Sequence, residues 1–90
     1  MVDPKKLPLS ELRYSALLSD LVVTDMLTLR TAYLENSVDK NSIRSLVQRR
    51  REIIDDLVSR GELSEETATE YRNDYNSYLD IAEKMAADCE

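Results

Sequence analysis

The fold that this sequence predicts is all-α: three helices in an up-down-up bundle. Three observations lead there. Glycine and proline are scarce, one and two among 90 residues, and helix-forming residues dominate between them. Apolar residues recur at steps of three and four through three long stretches. Two short polar breaks, around residues 36–39 and 61–64, separate those stretches. The Gly-rich turns and β-branched runs of an all-β or Rossmann-like chain are missing.

Residues 1–9 contain Pro4 and Pro8 and read as an extended N-terminal arm. Residues 10–90 read as a single helical domain. Ser10 is placed to cap the first helix, with Leu9 and Tyr14 at the spacing of a hydrophobic staple. That helix is expected over about 10–35. Asn36-Ser37-Val38-Asp39 reads as a loop, because short polar side chains compete for helical hydrogen bonds. Asp39 or Asn41 can cap the second helix, expected over about 41–60, and Gly61 stands where a glycine commonly ends one. Ser64 caps the third helix, about 65–88, with Glu65 and Glu66 at its positive dipole end. Short loops make neighbouring helices antiparallel.

The core stripes follow from the periodicity. The third helix offers Ala68, Tyr71, Tyr75, Tyr78, Ala82, Met85 and Cys89, a coiled-coil-like seam. The second offers Ile43, Leu46, Val47, Ile53, Ile54, Leu57 and Val58. The first offers Tyr14, Leu18, Leu21, Val22, Leu29, Ala32 and Tyr33. It also carries a second apolar set, Leu12, Ala16, Val23, Leu27 and Leu34, which a helical wheel puts nearly opposite the first. Three helices cannot easily cover both faces of one member. The second set is therefore the expected interface with a protein partner or a second copy, leaving the bundle open to completion by dimerisation.

Charged residues interrupt two stripes. Asp25 lies within that of the first helix and Arg50 within that of the second. Counting back from the two turns puts them level with each other and with Tyr75. A buried polar layer of Asp25, Arg50 and a Tyr75 or Tyr71 hydroxyl is expected, fixing the register of helices that could otherwise slide.

Composition narrows the chemistry. The chain has no histidine and one cysteine, Cys89, flanked by Asp88 and Glu90. No Ser-His or Cys-His pair can form, the imidazole metal ligand is missing, and one glycine cannot build a phosphate-cradling loop. Neither a metal site nor a cofactor is expected. Asp55-Asp56 and Glu65-Glu66 are adjacent pairs, which diverge on a helix. A lone cysteine suits a reducing, cytoplasmic compartment. The opening residues lack a signal-peptide core, and no apolar run of about 18 residues suggests a membrane span.

Net charge is −6 and uneven. Residues 1–51 carry nine Lys/Arg against six Asp/Glu, and residues 52–90 three against twelve. The acidic third helix could steer a basic partner. Lys40, Arg44 and Arg51 share one face of the second helix and form the nucleic-acid alternative, with no aromatic residues beside them to stack bases. Nucleic acid is not the expected partner. A second alternative is enzymatic. The spacing of Arg13 and Arg30 in SELRYSALLSDLVVTDMLTLR is similar to that of two first-helix arginines in the all-helical chorismate mutases. This chain has Asn41 where that family has lysine, and the rest does not align without gaps. The expected function is that of a non-catalytic helical interaction module.

Overall fold

A computed structural model describes residues 9–89 of the chain, with side chains from Glu11 onward. The extended arm and the Leu9–Tyr14 staple lie outside the described side chains. Three helices follow one another: α1 (Leu9–Leu34), α2 (Lys40–Ser59) and α3 (Glu65–Asp88). The first two begin and end one residue earlier than the sequence suggests, so Ser10 is inside α1 rather than its cap.

Each turn has a physical cause. Asn36 takes a positive φ of 57°. The amides of Asn36 and Ser37 then donate back to the carbonyls of Tyr33 and Ala32, closing α1 as a Schellman motif. Gly61, φ 72°, closes α2 in the same way, with the Gly61 and Glu62 amides donating to Val58 and Leu57. Asp39 caps α2 by accepting the Ser42 amide at 3.0 Å. Ser64 caps α3 by accepting the Thr67 amide at 3.2 Å.

The helix α3 is the central element and packs on both neighbours. Between α2 and α3 the surface pairs Arg44–Glu83, Arg51–Asn76 and Asp55–Arg72 advance on one helix as they retreat on the other, so the two are antiparallel. Polar pairs from α1 to α3 are separated by 50–56 residues, whether near the start of α1 or its end, so these two run parallel. The arrangement is the up-down-up bundle.

Its core is Leu18 and Leu29 from α1, Ile43, Val47, Ile54 and Leu57 from α2, and Ala68, Tyr71, Tyr75, Tyr78, Ala82 and Ala86 from α3, closed at one end by Leu63. Tyr75 and Tyr78 meet edge to face, with ring centroids 5.9 Å apart. Two residues of the expected stripes are corrections. Tyr33 is 38% exposed and Ile53 37%. Tyr33 stands level with Asp88 at the end of α3, to whose carboxylate its hydroxyl donates. Ile53 adjoins Ile54, and neighbours on a helix point about 100° apart, so only one can face the core.

Candidate interaction surface

The orientation of α1 is fixed by three polar contacts on its inner side. At its start, the Glu11 carboxylate is buried and accepts the Ser64 amide at 3.1 Å and the Thr67 hydroxyl at 3.2 Å. It thereby supplies negative charge to the first turn of α3, where the helix dipole favours it. These hydrogen bonds, with Ser64 the main source, hold the Glu11 pKa below its ordinary 4.5. Farther along, the Tyr71 hydroxyl donates to the Ser15 carbonyl at 2.8 Å and sits 2.6 Å from Ser19 Oγ.

The third contact is the layer at mid-helix. Asp25 is 5% exposed, and its carboxylate accepts Arg50 Nε at 2.9 Å, Arg50 Nη2 at 3.1 Å and the Tyr75 hydroxyl at 2.6 Å. The arginine fork is bidentate, the geometry in which a charge-assisted pair is strongest. The hydrogen bond to Asp25 raises the Arg50 pKa above its already high ordinary value, so the cation is retained. Burial, and after it the Asp25 carboxylate, pushes the Tyr75 hydroxyl well above its usual value, so it stays a donor. Thus one residue from each helix meets at one level. Tyr71 takes the separate serine site instead.

With the inner side anchored, the opposite side of α1 faces solvent. Leu12 is 54% exposed, Val23 58%, Leu27 57% and Leu34 73%, and Ala16 is exposed with them. Leu17 and Met26 border this strip and are also exposed. Isolated exposed leucines are ordinary on a monomer, but apolar residues recurring along one side of a whole helix, here interrupted by Asp20 and Arg30, commonly mark an interface.

Other surfaces are less continuous. A cleft of about 190 Å³ opens between α1 and α2 beside the Asp25 layer, lined by Leu29, Ala32, Val38, Ile43, Leu46 and Tyr78 among others. Arg13 and Arg30 are exposed and neither lines it. Of the three α2 cations of the nucleic-acid alternative, Arg44 pairs with Glu83 at 2.9 Å and Arg51 donates to Asn76, while Lys40 is exposed at the helix start. Two of the three are therefore shared with α3. Among the described residues no cluster of His, Cys, Asp or Glu could hold a metal ion, and no helix is long and apolar enough to cross a membrane.

Comparison with known proteins finds no family model, no curated sequence and no solved structure that matches the chain. The surfaces themselves therefore carry the functional reading. The Glu11 cap and the burial of Leu63 are not foreseen from the sequence. The first depends on the parallel pairing of distant helices, for which no local signal exists. The second has a weak signal, an apolar residue in an otherwise polar turn two residues past the helix-ending glycine.

Proposed function

We propose that this protein is a non-catalytic helical interaction module that docks a protein partner on the outer face of α1. The observation that carries the reading is the exposure of Leu12, Ala16, Val23, Leu27 and Leu34 on a helix whose opposite side packs on the core and holds the Asp25 layer. The hydrophobic term alone disfavours leaving such a strip in water, at about 25 cal/mol for each Å².

A secondary contribution comes from α3. Glu66, Glu70 and Asp74 are exposed and take part in no ion pair among the described residues. They lie along one side of α3 and would favour a partner whose rim is basic. Such a field steers encounter more than it adds affinity.

Photo-crosslinking in cells tests this reading. A photoreactive residue placed at Leu27 is expected to give a covalent protein adduct, whether to a foreign protein or to another copy. The same residue at Glu52, on the exposed side of α2, is expected to give none. If neither position yields an adduct, or both yield the same ones, the outer face of α1 is not the docking surface.

A further inference from the structure

The outer face of α1 contains a symmetry that its apolar residues alone do not reveal. Ala16, Asp20, Val23, Leu27, Arg30 and Leu34 follow alternating steps of four and three without a break. That is the a/d pattern of a coiled-coil seam, and all six are exposed. The inner stripe of α1 is a different set of residues, so this seam is free.

We infer that the occupant of this face is a second copy of the chain, bound antiparallel, with the two α1 helices related by a two-fold axis level with Asp25. This rests on the reading of α1 as a docking surface and names its partner. In a two-fold interface, if residue i meets residue j, then j meets i. An axis at residue 25 sets Val23 against the partner's Leu27, Asp20 against the partner's Arg30, and Ala16 against the partner's Leu34. Each layer occurs twice.

All three kinds of layer are complementary under this one register. Val23 and Leu27 make an apolar centre. Asp20 and Arg30, neither of them in an ion pair among the described residues, meet as opposite charges. Ala16, the smallest side chain of the seam, stands opposite Leu34, the most exposed of its large ones. A parallel dimer would instead set Asp20 on Asp20 and Arg30 on Arg30, like charge on like charge. A foreign helix would require no such match between the two halves of the seam. The flanks agree, because Met26 and Thr24 lie on either side of the axis and each would meet its own copy.

The dimer also accounts for α1 as a whole. Its inner face lies on α3 and the Asp25 layer, and its outer face would lie on the other α1. The helix apolar on two sides would then be buried on two sides, at the centre of six helices.

Charge reversal tests the register using the full chain. Asp20→Arg and Arg30→Asp each place like charges in both polar layers of a homodimer, whereas an equal mixture of the two variants restores opposite charges in both. Both positions are exposed, and circular dichroism is expected to show unchanged helicity. Sedimentation is expected to show a wild-type dimer, self-association of each variant weakened by about tenfold or more, and recovery in the mixture. Variants that dimerise as tightly as the wild type, or a mixture that stays monomeric, would overturn the antiparallel register. A wild-type monomer at every concentration overturns the second copy as occupant. If Leu27 crosslinks a foreign protein in that case, the docking surface itself survives; if it crosslinks nothing, both fall.

Discussion

At the scale of single residues, a buried polar contact is costly when it is broken from one side only. Asp25 has two donors, and removing one strands a carboxylate in the core. Arg50→Ala is expected to destabilise the protein by about 3 kcal/mol, the low end for a broken buried pair, because Tyr75 still donates. Replacing Arg50 and Asp25 together by Met and Leu is expected to cost far less, since no uncompensated charge remains. Urea denaturation of the two variants measures this, and equal losses would contradict a buried pair. Glu11 gives a pH signature. Its folded pKa lies below 4.5, so the unfolded chain takes up the proton first as the pH falls. The stability from this group is present above about 4.5 and is lost on the way down through the folded value. Glu11→Gln should flatten the acid limb of stability against pH, and an unchanged limb would mean the cap is idle. At the alkaline end the sign reverses. Tyr75 and Tyr78 are both raised by burial, so above pH 10.0 the unfolded chain loses protons that the folded chain keeps. Stability is expected to fall as the pH rises past that value, as read by the loss of helicity in circular dichroism.

At the scale of elements, the helix ends decide where the bundle folds back. Gly61 has a φ of 72°, and a methyl group added to its Cα would meet no atom within 4 Å, so replacing it costs backbone strain and not a clash. Gly61→Ala should lower stability by about 1 kcal/mol without changing the fold, as read by thermal unfolding. A larger loss would indicate a packing role. The same scale explains what the sequence made legible. Three periodic stripes, Asp39, Ser64 and Gly61 were enough to place all the helices to within a residue, because those signals are local. The level of Asp25, Arg50 and Tyr75 followed from counting back from the turns. The hand-over at Asn36 was legible only as a polar loop, since an asparagine in the left-handed region has no pattern that distinguishes it. Tyr33 and Ile53 show where periodicity fails. It reports which side of a helix is apolar, but not where the neighbouring helix stops or which of two adjacent isoleucines wins the core.

At the scale of the whole molecule, the bundle is closed on one side and open on the other. The helices α2 and α3 each have one apolar seam and bury it internally, with Arg44–Glu83 and Asp55–Arg72 along their outer edge. The helix α1 has two seams and buries one. The inner one is visible in the packing, whereas the outer one is read from the sequence periodicity and from the exposure of its residues. Light scattering of the pure protein beside Leu27→Glu tests the central claim most directly, because that residue lies near the middle of the free seam and outside the core. A wild-type mass twice the 10.4 kDa of one chain is expected, falling to that of one chain in the variant with helicity intact. The same mass for both proteins would contradict the account.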